Sequence, residues 1–92
     1  MAHIIRDKQK LVARVRRMRG QLDAVERALN DEVECEEILR QVASCRGAMN
    51  GLMFELLEGQ LRAHVAPSAS DPMSEEARSL EQVIAIVRAY LK

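Results

Sequence analysis

The sequence predicts an all-α protein of three helices, two of them long and antiparallel and the third short. The chain of 92 residues contains no Trp, one Phe and one Tyr. Its apolar core must therefore come from aliphatic side chains and Met, which suit helices better than a sheet. Apolar residues recur at helical spacing, and the length fits a single domain, 1–92. A domain of this size buries a modest core, so oligomerisation is an expected source of stability.

The first long helix is predicted to run from about residue 9 to residue 30. Its apolar residues alternate between spacings of four and three, which places them along one helix face. This apolar seam consists of Leu11, Val15, Met18, Leu22, Val25 and Leu29. At about 100° per residue, a group of cations lies to one side of the seam, where it can stay exposed while the seam is buried. This basic stripe consists of Arg6, Lys10, Arg14 and Arg17.

Charge is distributed unevenly, although the formal net charge of the chain is zero. Residues 1–19 carry seven basic side chains and one acidic side chain, which gives a net charge of +6. Residues 20–92 carry seven basic and thirteen acidic side chains, which gives −6. This asymmetry indicates an anionic partner at the N-terminal end, the alternative being a solvated helix face. Flexible cations along a helix suit the phosphate oxygens of nucleic acid.

Double-stranded DNA is the nucleic acid that the sequence favours. Modules for RNA or single strands usually stack bases on aromatic rings, which this chain almost lacks, so no RNA partner is expected. The predicted helices are too long for a helix-turn-helix, which favours DNA binding by a rigid helical assembly. No nucleophile–base pair, glycine-rich phosphate loop or pair of catalytic carboxylates stands out, and no enzymatic activity is predicted.

The second long helix is predicted to begin near residues 32 to 34 and to end before Pro67. Cys35, Gln60 and His64 fall on one side of it. At about 1.5 Å per residue, the 29 positions from Cys35 to His64 span roughly 43 Å, so the two side chains cannot meet within one molecule. A second copy of the helix, running antiparallel, would bring its own His64 beside Cys35. The sequence therefore predicts a binding site shared between subunits.

Two glycines lie near the middle of this second helix. Gly47 and Gly51 are four residues apart on one face, a spacing that lets two helix backbones approach closely. They are expected at the antiparallel crossing of two subunits, or alternatively against the first helix of the same chain. Cys45 lies around the helix from Cys35 and is interpreted as a core thiol rather than a ligand.

The third helix is predicted to follow the linker Pro67–Asp71, with Asp71 as its N-cap and Pro72 at its first position. One face carries the apolar residues Leu80, Val83, Ile84, Val87 and Leu91. The apolar run at 83–87 is far too short to span a membrane, and charges at positions 6 to 10 argue against a signal peptide. Two cysteines without secretory context predict reduced thiols in a cytoplasmic protein.

Several segments together form a pattern more specific than any short motif: Asp7–Leu11, Arg16–Leu22, Cys35, Arg46–Met53 and the ending Val87–Lys92. They resemble the CsoR/RcnR/FrmR family of bacterial repressors over essentially the whole chain. The resemblance implies an all-helical homotetramer, a dimer of antiparallel dimers, that binds operator DNA without a helix-turn-helix. It also implies that an effector bound between protomers releases the DNA.

Nickel or cobalt is the effector that the resemblance favours. Sensors of these metals similar to RcnR use the N-terminal amine, a His at position 3, the Cys of the second helix and histidines matching positions 60 and 64. His3, Cys35 and His64 match that set, whereas Gln60 departs from it because a neutral amide is a poor ligand for these metals. The expected ligands are therefore the amine of Ala2, His3 and Cys35, with His64 from the partner chain.

Formaldehyde is the alternative effector. Sensors resembling FrmR use the N-terminal amine and the thiol of the second helix, which formaldehyde joins through a methylene bridge. Here these groups are the amine of Ala2, after removal of Met1, and the thiol of Cys35, and the chemistry requires neither position 60 nor position 64. An N-terminal amine is partly neutral, and therefore nucleophilic, at neutral pH. Copper and persulfide sensors of the family require a further thiol at position 64 or 60, respectively, and are not expected.

Overall fold

The computed structural model describes residues 2–65 and 74–91, and side chains within 4–63 and 74–91. Helices occur in these ranges and strands do not. The helices are α1 (Ala2–Arg6), α2 (Lys8–Asn30), α3 (Cys35–Val65) and α4 (Glu75–Tyr90). The predicted all-α class is confirmed, and the two long helices lie within a few residues of their predicted bounds. Within the same ranges, no helix is both long and apolar enough to cross a membrane.

Asp7 separates α1 from α2, a break that the sequence pattern did not predict. Its φ of −102° and ψ of 14° depart from helical values, although its carbonyl accepts a hydrogen bond from the amide of Leu11 at 2.9 Å. No Gly or Pro marks the position, so composition alone does not reveal it. As a result, Arg6 belongs to α1, while the rest of the basic stripe belongs to α2.

A tight turn at residues 31–34 folds α3 back against α2. The amide of Val33 donates to the carbonyl of Ala28 at 3.0 Å, and the amide of Glu32 donates to that of Leu29 at 3.2 Å. These two bonds define a Schellman motif, in which the residue after the C-cap adopts a left-handed backbone. Glu32 is that residue, with a φ of 55°. The turn fixes the register of the hairpin, in which early residues of α2 face late residues of α3.

Replacing Glu32 by Gly is expected to stabilise the chain by about 1 kcal/mol, because Gly adopts a positive φ without the steric cost of a Cβ. For a domain of this size, the gain corresponds to a rise of about 4–8 °C in the thermal midpoint. Asp31→Gly is the matched control, since Asp31 has a φ of −86° and gains nothing from glycine. Circular dichroism melts of both variants provide the measurement. A Glu32→Gly protein that melts no higher than wild type contradicts the prediction.

The interior of the described chain is small. Among the described side chains, the buried apolar ones are Met18, Ala28, Leu80 and Ile84. Within the apolar seam of α2, Leu22 and Leu29 remain exposed, so one chain buries the seam only in part. The backbone extends over 56 × 26 × 13 Å and is therefore elongated and thin. A chain this thin cannot enclose both faces of its long helices.

Side-chain contacts hold α4 against the C-terminal half of α3. Arg62 donates hydrogen bonds to Glu81 of α4 at 2.8 Å and to Glu58 at 3.2 Å. The bond with Glu81 raises the pKa of the Arg62 guanidinium above its ordinary value. Arg88 of α4 lies over the ring of Phe54, with its guanidinium carbon 4.9 Å from the ring centroid. These contacts fix the position of α4 on α3.

Ser74 is the N-cap of α4. Its side-chain oxygen accepts a hydrogen bond from the amide of Ala77 at 3.1 Å, and two glutamates occupy the first turn, where negative charge is favourable. The prediction of Asp71 as the N-cap and Pro72 as the first residue is therefore wrong for this helix. Asp71 and Pro72 themselves lie outside the described residues.

Candidate nucleic-acid interface and effector site

The basic stripe lies on one side of the molecule, along the groove that α1 and α2 form with α3. Arg6 and Lys10 line one part of this groove beside Glu55, and Arg14 and Arg17 line another part. The side chains of Arg6 and Lys10 are 76% and 73% exposed, whereas that of Arg14 is only 28% exposed. Arg17 is also exposed. The structure thus brings the predicted cations together and holds one of them partly buried.

Glu55 on α3 is an acidic partner of the stripe that the sequence did not reveal. Its Oε1 lies 3.6 Å from Lys10 Nζ and 3.5 Å from Arg14 Nη2. Arg6 instead lies 3.8 Å from the carboxylate of its neighbour Asp7. Because Glu55 lies on a different helix, only the register of the hairpin brings it to these cations. No local spacing could have identified it.

Gly51 faces Arg14 of α2 in the same chain, whereas a Cβ added at Gly47 would meet no described atom within 4 Å. A Cβ added at Gly51 would lie 3.2 Å from Nη1 of Arg14. Gly47 lines the same part of the groove as Arg14 and Arg17. For Gly51, the structure supports the alternative that the glycine accommodates the first long helix of the same chain, and the crossing between subunits stays a prediction. At Gly51, the missing side chain leaves room for a guanidinium.

The predicted effector residues lie at opposite ends of α3. Cys35 is the first residue of the helix and is exposed, and Gln60 is exposed near the other end. His64 lies in the last turn, but its side chain, like those of Ala2 and His3 in α1, lies outside the described residues. No group of three Cys, His, Asp or Glu side chains suited to a metal occurs in the part of the chain that is described. Within one chain, the length of α3 therefore separates Cys35 from positions 60 and 64.

An exposed apolar stripe covers α3 between Cys35 and Gln60. This α3 stripe consists of five side chains, each 40–62% exposed: Leu39, Val42, Met49, Met53 and Leu57. At about 100° per residue, all of them lie within roughly 40° of the direction of Cys35. Val42 and Leu57 are equidistant from the midpoint between positions 49 and 50, as are Cys35 and His64. The α3 stripe is therefore suited to pair with a second copy of itself running antiparallel.

Acidic residues flank Cys35 in the sequence at the start of α3. Glu34, Glu36 and Glu37 are its neighbours in sequence, and Glu37 forms an ion pair with Arg40. Carboxylates raise the local concentration of cations, which favours a positively charged ligand at this thiol. Cys45, the other cysteine, is half-buried.

Comparison with known proteins relates this arrangement to a family. Residues 7–89 match the family model described as metal-sensitive transcriptional repressor. The chain is 39% identical over 92 residues to the transcriptional repressor RcnR of Salmonella paratyphi B, and the alignment covers all of both chains. It is 47% identical over 92 residues, again covering both chains in full, to a Serratia marcescens protein described as an uncharacterized protein in the bioA 5′ region.

These similarities identify the class of protein as transcriptional repressors, which act by binding DNA. The chain belongs to the metal-sensitive transcriptional repressor family. This family membership confirms the resemblance to the CsoR/RcnR/FrmR family that the sequence segments indicated. The family is one of repressors and not of enzymes.

Proposed function

We propose that this protein is a homotetramer, a dimer of antiparallel dimers, that binds duplex operator DNA without a helix-turn-helix. The basic stripe holds the DNA, and nickel or cobalt bound between protomers releases it. The metal ligands are the amine of Ala2, His3 and Cys35 of one subunit, with His64 from the other. Gln60 lies on the same helix face and is not a strong ligand.

The exposed α3 stripe is the observation that carries this proposal. Its five apolar side chains would be covered if a second α3 packed against them, and contiguous exposed apolar patches typically mark interfaces. In the proposed antiparallel pair, Cys35 of one subunit would lie near positions 60 to 64 of the other. Assembly and effector binding therefore use the same helix face, with one shared site at each end.

The exposure of the basic stripe supports duplex DNA as the partner. Arg6, Lys10 and Arg17 reach solvent on one side of the molecule, where successive phosphates could approach them. Contacts of this kind supply affinity and salt dependence and carry little sequence information. The long helices of the hairpin provide a rigid support for these cations.

The donor chemistry supports a late divalent metal. A thiolate, imidazoles and an amine are borderline ligands that suit nickel and cobalt. Cys35 is exposed, so its thiol is accessible to an ion, and acidic side chains on both sides of it favour a cation. The family as a whole is described as metal-sensitive.

Formaldehyde is the second candidate effector, and two observations favour it. Cys35 is an exposed thiol, and position 60 holds an amide where nickel and cobalt sensors similar to RcnR have an imidazole. In this reaction the carbonyl carbon condenses with the amine of Ala2 and the thiol of Cys35. One water leaves, and a methylene bridge remains. His64 has no role in this chemistry.

Release of the repressor from DNA by each effector distinguishes the two candidates. A complex of the repressor with the DNA upstream of its own gene is titrated separately with nickel, cobalt and formaldehyde, using wild type, Cys35→Ala and His64→Ala. Both chemistries require Cys35, and only metal binding requires His64. We expect nickel or cobalt to release the wild-type repressor from the DNA. In both variants, the metal concentration needed for release should rise at least tenfold.

Cys45→Ala is the matched control, since it removes the half-buried cysteine and should leave release unchanged. Release by formaldehyde that survives His64→Ala, without release by either metal, contradicts the nickel or cobalt assignment. Intact mass spectrometry would then show one added carbon in wild type and none in Cys35→Ala.

A further inference from the structure

Glu55 makes a contact with the basic stripe that the proposed function does not explain. One of its carboxylate oxygens lies 3.6 Å from Lys10 Nζ and 3.5 Å from Arg14 Nη2, so a single oxygen serves two cations one helical turn apart. A DNA phosphate would offer these cations the same kind of partner, an anionic oxygen. Each cation therefore has one partner inside the molecule and a similar one on the DNA.

Arg14 is the cation that α3 holds more closely. Its guanidinium lies against Gly51, where an added Cβ would be 3.2 Å from Nη1, and reaches Glu55 one turn further along α3. Its side chain is 28% exposed, whereas that of Lys10 is 73% exposed. Gly51 provides space for Arg14, and Glu55 provides the opposing charge.

The two ion pairs of Glu55 lie where a DNA phosphate can replace the carboxylate. The Glu55 side chain is 27% exposed, so water and salt still reach it, and its pair with the 73% exposed Lys10 is screened by solvent. The distances of 3.5 and 3.6 Å are also longer than those of strong charge-assisted hydrogen bonds. A phosphate that approaches the groove can replace the carboxylate without disrupting the hairpin.

We propose that Glu55 is an internal competitor of DNA that sets the operator affinity of the repressor. In the free protein it neutralises part of the charge of Lys10 and Arg14. On the operator, these cations must exchange Glu55 for phosphate, and the exchange lowers both the affinity and the number of counterions released. This inference rests on the proposed function, because it assigns a role to Glu55 within the same DNA-binding surface.

The variant Glu55→Gln tests the inference by gel-shift titration at several salt concentrations. It removes the charge and keeps the size and helix propensity of the side chain. We expect operator binding to tighten about three- to tenfold at low salt. The slope of log affinity against log salt should also steepen by roughly 1 to 2 per DNA-bound subunit, since each freed cation releases counterions.

Glu81→Gln is the matched control, because it removes the same charge from a carboxylate that pairs with Arg62 and not with the stripe. It should leave affinity and slope close to wild type. In an Arg14→Ala background, the tightening caused by Glu55→Gln should shrink, since one of the two competing pairs is already gone. Circular dichroism confirms that each variant is folded.

The outcomes separate this inference from the proposed function. Wild type that binds the operator, together with Glu55→Gln that binds equally or more weakly, overturns the inference and leaves the repressor assignment intact. Equal tightening by Glu81→Gln also overturns it, because net charge would then explain the effect. Wild type that fails to bind the upstream DNA even at low salt overturns the proposed function, and the role of Glu55 with it.

Discussion

Replacing Met49 by Glu is expected to convert the assembled protein to monomers at micromolar concentration. Met49 lies in the α3 stripe beside its midpoint and is 48% exposed in the single chain. In an antiparallel pair, the two copies of position 49 lie close together, so the substitution places two like charges in an apolar interface. An unpaired charge buried in this way costs about 3–5 kcal/mol, which corresponds to roughly 10²- to 10⁴-fold weaker dimerisation.

Sedimentation velocity provides the measurement, and the hairpin should remain helical because Glu is a good helix former. Ser44→Glu is the matched control, since Ser44 is exposed on the side of α3 opposite to the stripe. Its dimer should persist. A Met49→Glu protein that sediments like wild type would show that the α3 stripe is not the subunit interface, and the shared effector site would then have no structural basis.

Replacing Arg14 and Arg17 by Ala is expected to weaken operator binding about ten- to hundredfold each at low salt. Both cations line the same part of the groove, and each is repeated in every subunit that touches DNA. Each lost phosphate contact should also flatten the salt dependence by about 0.9 in the slope of log affinity. Gel shifts at several salt concentrations measure both quantities.

Arg19→Ala is the control for this prediction. Arg19 is exposed on the same helix but lies on roughly the opposite side from the basic stripe. Its loss removes the same charge and should change affinity by less than the stripe variants do. Equal losses from Arg19→Ala and Arg17→Ala would indicate that charge in general, and not the stripe, determines DNA binding.

The sequence predicted the long helices because their apolar periodicity is sustained over many turns. It did not predict the break at Asp7, since φ and ψ leave helical values there without any Gly or Pro to signal it. The N-cap of α4 was misplaced because Asp71–Pro72 and Ser74 are both good capping signals in the same short stretch. Ser74 is the one that accepts the capping hydrogen bond in the structure.

The candidate sites were predictable to different degrees. The basic stripe follows from helical geometry within one segment, so its residues could be named in advance. Glu55 could not, because its contact with Arg14 depends on the register of the hairpin. That register is set by the turn that places Glu32 at a positive φ. A Glu residue in the sequence gives no reason to predict this conformation. The ligands around Cys35 depend on a second subunit and remain a prediction.

The thinness of the chain has a consequence for how much of this protein a cell must hold. A backbone whose smallest extent is 13 Å encloses little interior, so in the proposed dimer the folded state would also draw on contacts that form only when two chains meet. Folding and association then follow the same law of mass action, and dilution weakens both together. In that assembly, newly made chains would stay vulnerable to proteolysis until they pair. The supply of subunits would therefore set how long each one survives, as well as how fully the operator is occupied.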